Sequence, residues 1–194
     1  MKARTHDVAA ATALLAVVVV MPDPPTITLA TAVAVLIANQ FGGIVPDIDQ
    51  PTAPLWRNLP IGGIFGRMVA RMLGGHRFIT HSLLGVALAG FLFNMLLALL
   101  HPIMPSVQTD LVWWAFMIGM VSHLVMDTFT KEGVPWLLPI PIKIGLPPLR
   151  RLRITTGTWS ESFITLPLLV VIVGVLCAYN YNEIAALLHN NIIR

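Results

Sequence analysis

Charged side chains are scarce in this chain of 194 residues, since Asp, Glu, Lys and Arg make up only 11% of it. An average soluble domain contains about 25% charged residues and about 45–50% apolar residues. Here 56% of the residues are hydrophobic and the mean hydropathy is +0.80. This composition excludes a disordered chain and an ordinary cytosolic domain, and it indicates a polytopic membrane protein.

Cysteine is also nearly absent. The single Cys177 excludes an internal disulfide and a cysteine-based zinc knuckle, and its apolar surroundings predict a small core residue. A net charge of +3 and a pI of about 9.5 would suggest nucleic acid binding in a soluble protein. In a membrane protein the basic residues set orientation instead, so we expect no nucleic acid partner.

Five segments approach the length of about 20 apolar residues that a membrane-spanning helix needs. We predict an all-α polytopic membrane helix bundle that forms a single domain over residues 1–194. Its spans are expected near residues 7–21, 26–42, 82–100, 110–126 and 162–181. The first segment also resembles a signal peptide, but a Met-Pro-Asp-Pro-Pro turn stands where a small-residue cleavage site belongs, which favours a retained span.

Basic residues are distributed very unevenly among the connections between these spans. Eleven of the twelve precede the first span, follow the second or follow the fourth, and only Arg194 lies beyond the fifth. The positive-inside rule therefore predicts a cytoplasmic N-terminus in a multi-pass protein of a bacterial-type inner membrane. Both long cytoplasmic segments are expected to be structured, with an amphipathic interfacial helix at residues 63–73 and a short strand or hairpin at residues 149–156.

Imidazole and carboxylate groups concentrate at one end of every predicted span. In the orientation above they all lie at the cytoplasmic face, whereas His101 and His189 lie on the opposite side and are interpreted as plain polar residues. The converging residues are His6, Asp47, Asp49, His76, His81, His123, Asp127 and Glu161.

Two spacings within this group are typical of metal ligands. His123 and Asp127 are four residues apart and share one helical face, and Asp47 and Asp49 follow Pro46 in what we expect to be an extended turn. Each feature has a plain interpretation as a helix-end ion pair, a turn or an interfacial residue. Their coincidence on one face favours a metal site, and imidazole with carboxylate suits zinc first, with manganese or iron as alternatives.

At these residues the chain resembles the YdjM-like family of membrane-bound, metal-dependent hydrolases. The motifs that carry the resemblance run through nearly the whole chain: Thr5-His6, Pro46 to Asp49, His76 to Ser82, Ser122 to Asp127, and Thr156-Gly157 to Glu161. The family is distantly similar to zinc-dependent phospholipase C and P1 nuclease, which also use a His-x-x-x-Asp helix and several metals. The resemblance implies cleavage of phosphate esters.

The first functional hypothesis is therefore an enzyme with one to three divalent ions. The predicted ligands are His6, Asp47, Asp49, His81, His123 and Asp127. Arg77 is expected to neutralise the charge that develops on a phosphoester, Glu161 to act as a further ligand or general base, and His76 to support or bind the metal. Membrane lipids are the expected partners, with a phospholipid as candidate substrate and Arg150, Arg151 and Arg153 either as a headgroup site or as a topology signal.

The second hypothesis is a metal-binding membrane protein without turnover, such as a metal carrier or a scaffold. A carrier places ionisable residues near the bilayer midplane. Here the span interiors are interrupted only by Asn39, Gln40 and Asn94, so a site at the membrane surface is favoured over a translocation path.

Overall fold

The fold is a bundle of five long helices. It is described by a computed structural model covering residues 1–22, 24–75, 77–140, 142–186, 189 and 192–193. Within these residues, five helical segments are long and apolar enough to cross a membrane: Ala3–Val20, Leu29–Asp49, Leu83–Ile103, Thr109–Thr128 and Glu161–Tyr179. The predicted all-α bundle with five spans is thereby confirmed. The first helix begins earlier than residue 7, so that His6 lies inside its first turns.

The helices are, in chain order, α1 (Ala3–Val20), α2 (Leu29–Ile44), α3 (Pro54–Arg57), α4 (Gly62–Met72), α5 (Leu83–Leu100), α6 (Thr109–Thr128), α7 (Leu166–Tyr179) and α8 (Tyr181–Ala186). Short 3₁₀ helices occupy Val45–Asp49, Ile79–His81, His101–Ile103 and Arg150–Leu152, and a π-helix occupies Glu161–Thr165. Two two-residue strands, β1 (Ile27–Thr28) and β2 (Ile192–Ile193), pair in parallel.

Helix α6 is the centre of the bundle and packs against α2, α1 and α5. Its inward face buries Phe116, Met120 and Leu124 completely. Helix α7 packs mainly on α1, and none of its residues is buried. Cys177 lies on this helix and is exposed, so the expectation of a core cysteine is wrong. A helix at the edge of a bundle can present an apolar residue to lipid, and sequence hydropathy does not separate these two environments.

The two long segments between the second and third spans and between the fourth and fifth agree with the sequence prediction in one place and differ from it in another. Helix α4 covers nearly all of the predicted amphipathic helix. The predicted strand at residues 149–156 is wrong, because Arg150–Leu152 forms a 3₁₀ helix and only Ile154 makes an isolated bridge, to Thr130. Arg153 donates hydrogen bonds to the carbonyls of Pro147 and Pro148, which holds this segment in a local turn instead of a ladder.

Small residues allow α2 and α6 to approach closely, as is common between membrane helices. A Cβ atom on Gly119 would lie 2.0 Å from the carbonyl oxygen of Asn39, and one on Gly42 would lie 2.0 Å from that of Phe116. The same close approach brings the end of α2 next to the end of α6, where the predicted metal ligands lie.

Gly119→Ala is therefore expected to destabilise the protein by about 1–3 kcal/mol, because the two backbones must move apart. Thermal unfolding in detergent measures this effect. Gly174→Ala is the matched control, since an added Cβ at that spanning position meets nothing within 4 Å. Equal melting temperatures for the two variants would contradict the tight contact between α2 and α6.

Candidate metal centre

Four elements bring the predicted ligands to one end of the bundle. His6 lies in the first turns of α1, and His123 and Asp127 lie in the last turns of α6. Asp47 follows α2 in a 3₁₀ helix, and His81 ends another 3₁₀ helix just before α5. The hydroxyl of Ser82 caps α5 by accepting a hydrogen bond from Gly85 N at 3.1 Å. This cap sets the start of α5 just after His81.

Side chains from all four elements meet within a few ångströms. His123 Nε2 lies 3.6 Å from Asp47 Oδ1 and 3.9 Å from Asp127 Oδ2. His81 Nε2 lies 3.5 Å from Asp127 Oδ2 and 3.9 Å from Asp47 Oδ1. His6 Nε2 lies 3.4 Å from Asp127 Oδ1, and its ring stacks on that of His123 with centroids 3.6 Å apart.

The described residues form two groups whose donor atoms all lie within 4.8 Å of one another. The first group is His6, Asp47 and His123, and the second is His81, His123 and Asp127. Each group offers three ligands of mixed nitrogen and oxygen type, which is a donor set that divalent metal ions accept in proteins. His123 is the residue that both groups share.

A backbone carbonyl fixes the tautomer of His123. Its Nδ1 lies 2.7 Å from the carbonyl oxygen of Gly43, which only accepts hydrogen bonds. Nδ1 therefore carries the proton, and the lone pair is left on Nε2, which faces the carboxylates. Metal-binding histidines characteristically make this type of outer hydrogen bond.

Several buried nitrogens of His6 and His123 lack a hydrogen-bond partner among the described residues, and this observation bears on whether the site could hold a metal. Both ring nitrogens of His6 and Nε2 of His123 are buried and make no hydrogen bond of acceptable geometry within the described part of the chain. Leaving such a group unsatisfied costs about 1–3 kcal/mol. The stacked rings of His6 and His123 lie beside Asp47 and Asp127, and this mixed set of nitrogen and oxygen ligands could hold a divalent ion such as zinc, manganese or iron.

Asp49 lies behind His81 and is outside both groups, although the sequence predicts it as a ligand. Its Oδ2 accepts hydrogen bonds from the hydroxyl of Thr80 and from the backbone N–H of Arg77, the latter at 3.0 Å. The same oxygen lies 3.5 Å from His81 Nδ1, on the side of the ring away from Asp127. Asp49 is thus placed to orient the imidazole, as carboxylates do behind metal-binding histidines.

The surroundings of His81 also change its protonation. Burial disfavours the imidazolium, but the hydrogen bonds and negative charges of Asp127 and Asp49 outweigh it and raise the pKa of His81 above its ordinary value. Protons therefore compete with a metal for Nε2, and metal affinity is expected to fall as the pH decreases.

Arg77 is buried, with only 5% of its surface exposed. Its guanidinium lies 2.6 Å from Asp127 Oδ2, donates to Thr130 Oγ1 at 2.8 Å and to the carbonyl of Gly133 at 3.4 Å, and lies 3.4 Å from Glu132. The sequence predicts this cation to face a phosphate. The structure instead places it against protein acceptors, where it holds the carboxylate of Asp127.

Glu161 lies at the start of the π-helix Glu161–Thr165 and is fully buried. Its Oε1 accepts from the backbone N–H of Lys2 and from Thr5 Oγ1, the latter at 2.8 Å, and its Oε2 accepts from Gly157 N at 2.6 Å. It belongs to neither ligand group. These contacts connect the fifth span to the start of α1 and thereby hold the turn that carries His6.

The remaining histidines are separate from the centre or outside the described residues. His76 is among the residues that the structure does not describe, so its predicted role stays a prediction. His101 and His189 are exposed, as expected for plain polar residues. The Gly43 carbonyl and the Thr130 hydroxyl could not be found from the sequence, because a backbone group has no residue-type signal and Thr130 contacts Arg77 across 53 positions.

Comparison with known proteins supports the resemblance seen in the motifs. The family model described as YdjM inner membrane protein matches residues 1–185. The Bacillus subtilis (strain 168) protein named "Uncharacterized protein YvsG" is 29% identical over 127 residues, which is 66% of this chain and 68% of that protein. "Inner membrane protein YdjM" of Escherichia coli (strain K12) and that of Shigella flexneri are each 32% identical over 135 residues.

The alignment to the two YdjM proteins covers 66% of this chain but only 59% of theirs. No solved structure matches the chain. The similarity to phospholipase C and P1 nuclease that the family resemblance implies therefore stays a prediction.

Proposed function

We propose that this chain, which belongs to the YdjM inner membrane protein family, is a membrane-bound, metal-dependent hydrolase of phosphoesters. The observation that carries the proposal is the set of buried imidazole nitrogens without hydrogen bonds that faces two carboxylates. We assign the metal to His6, Asp47, His81, His123 and Asp127, with zinc as the first candidate.

Each side chain has a distinct role in this proposal. When bound, a divalent ion supplies Lewis acidity and lowers the pKa of its water ligand to about 7. Asp47 is the most accessible member of the centre, with 24% of its side chain exposed, so substrate and water approach on its side. His123 and His81 present Nε2 to the metal, which displaces the proton that competes for His81, while Arg77 and Asp49 position Asp127 and His81.

In the reaction a water oxygen attacks phosphorus, the bond from phosphorus to the ester oxygen breaks, and a proton passes to the leaving alcohol. The sequence predicts Glu161 as a further ligand or as a general base. Its three hydrogen bonds with protein donors favour a positioning role, in which it holds the start of α1 so that His6 faces the centre. Glu161 is accordingly a positioning residue and not the general base.

The test is hydrolysis of a panel of phospholipids, nucleotides and an aryl phosphodiester by protein purified without a histidine tag. We expect turnover that a chelator abolishes and that added Zn(II) or Mn(II) restores. His101→Ala is the control, because this histidine is exposed and lies in the 3₁₀ helix after α5. A metal-loaded protein that hydrolyses nothing on the panel would contradict the proposal and favour a non-catalytic metal-binding protein.

We also propose that the metal centre faces the cytoplasm, because the connections at its end of the bundle carry eleven of the twelve basic residues. A fluorescent reporter fused after Leu59 should then fluoresce, and a phosphatase reporter fused after Met104 should be active. The reverse pattern would place the centre on the outer side and refute the assigned orientation.

A further inference from the structure

A cavity of about 330 Å³ opens directly beside the candidate metal centre, between the start of α1, the end of α2 and the segment around α3. His6 and Asp47, two members of the first ligand group, form part of its wall. Most of the remaining wall is apolar and includes Ile44, Leu55 and Leu59. The cavity therefore joins a metal-binding end to a hydrocarbon-like surface, and its volume is that of a small ligand pocket.

Helix α4 packs on α3, the helix that contributes Leu55 to the apolar wall. A Cβ on Gly62 would lie 1.9 Å from the carbonyl oxygen of Trp56, and one on Gly66 would lie 2.9 Å from its ring, so α4 packs directly on α3. The indole N–H of Trp56 donates to the carbonyl of Ile48 at 3.0 Å, which links α3 to the 3₁₀ helix that carries Asp47.

The outer side of α4 has the composition of a helix that lies in a membrane surface. Ile64, Phe65 and Met68 expose 59%, 51% and 50% of their surfaces, and Arg67 and Arg71 are exposed on the same helix. Apolar residues of this kind enter the headgroup boundary, while arginine side chains contact anionic lipids. In such a location α4 would place the cavity at the membrane surface, where a lipid could enter it without crossing water.

We infer that the substrate of the proposed hydrolase is an amphiphilic phosphoester. Its phosphate would lie at the divalent ion that His6 and Asp47 would hold, which offsets the negative charge of Asp7 in the same wall, and its alkyl chain would lie along Ile44, Leu55 and Leu59. The inference rests on the proposed function and adds the substrate class to it. A soluble phosphoester would leave the apolar wall in contact with water, whereas each methylene buried there raises affinity about fourfold.

The test uses monoalkyl phosphates from methyl to octyl as probes of the Mn(II)-loaded protein in lipid nanodiscs. Phosphorus NMR relaxation, which bound Mn(II) accelerates, reports binding without turnover. In the wild type we expect affinity to rise about fourfold per methylene until the chain fills the cavity. Leu55→Ser and Leu59→Ser should flatten this dependence, measured in each variant relative to its own affinity for methyl phosphate.

Leu152→Ser is the matched control, because Leu152 is 67% exposed and lies outside the cavity. It should keep the wild-type dependence, which separates burial in the cavity from partition of the longer probes into lipid. Metal content is measured in every sample, so a variant that loses Mn(II) is replaced by Leu59→Trp, which fills the cavity. Identical chain-length dependence in all variants would overturn the inference, while binding of methyl phosphate would leave the proposed function standing. Absence of Mn(II) binding in the wild type would overturn both.

Discussion

Asp127→Asn is expected to remove the metal that His81, His123 and Asp127 would hold and to destabilise the end of α6 that carries the centre. Asparagine keeps the size of the side chain, so the effect comes from the lost charge rather than from a cavity. The guanidinium of Arg77, 2.6 Å away and almost fully buried, would lose its buried counter-charge and keep only that of the exposed Glu132. Removing one partner of a buried ion pair costs about 3–5 kcal/mol, which is a large part of the stability of a protein this size.

Metal content by mass spectrometry of tag-free protein and thermal unfolding measure the two effects. Asp110→Asn is the matched control, since it makes the same change on the same helix at an exposed position in the first turn of α6. Equal metal content in the two variants would exclude Asp127 as a ligand.

The two ligand groups can be separated by the same measurement. His123 belongs to both groups, so His123→Ala should remove all bound metal. His6→Ala and His81→Ala each affect one group and should lower the metal stoichiometry without abolishing it, if the centre holds two ions. An unchanged stoichiometry in His6→Ala would show that the second group is sufficient by itself, and His189→Ala should change nothing.

The position of the site at one end of the bundle follows from the sequence because hydropathy and charge are both ordered along the chain. Apolar runs of sufficient length define the spans, and polar groups are tolerated only at their ends. Alternate ends of successive spans face the same side of the membrane. The sequence therefore predicts one end of the bundle for His6, Asp47, His81 and His123, and the structure brings these side chains close together.

Asp47 belongs to a candidate ligand group, whereas Asp49 lies behind His81. This difference depends on backbone geometry that the spacing of the two residues does not reveal. The sequence predicts an extended turn after Pro46, but Val45–Asp49 is a 3₁₀ helix with the proline in its first turn, where its fixed φ is favourable. With 3.0 residues per turn, side chains two residues apart point in directions about 120° apart. Asp47 therefore faces the centre, and Asp49 faces the opposite side of His81.

The contacts of the Arg77 guanidinium with Asp127 and Thr130 cannot be predicted from the sequence, for a different reason. Arg77 adopts a left-handed backbone conformation with φ of 59°, following Gly74 and Gly75, which also have positive φ values. This conformation turns the side chain toward α6 instead of the solvent, and its partner Thr130 is 53 positions away in the chain. A motif that contains an arginine next to a ligand histidine does not indicate which acceptor the guanidinium will find.

Arg77→Ala is accordingly expected to lower metal affinity about 10–100-fold and to lower turnover with it, because Asp127 would lose the group that holds its carboxylate. Arg77→Lys retains the charge but lacks the planar fork, so it should recover stability more than metal affinity. Arg67→Ala, at an exposed position on α4, is the control for loss of a basic residue. The measurements are the dissociation constant for Zn(II) and kcat at saturating metal, which separate holding a ligand from contacting substrate. If Arg77→Ala keeps its metal affinity and loses only kcat, the guanidinium faces the phosphate as the sequence predicts, and the contact with Asp127 is not what the centre requires.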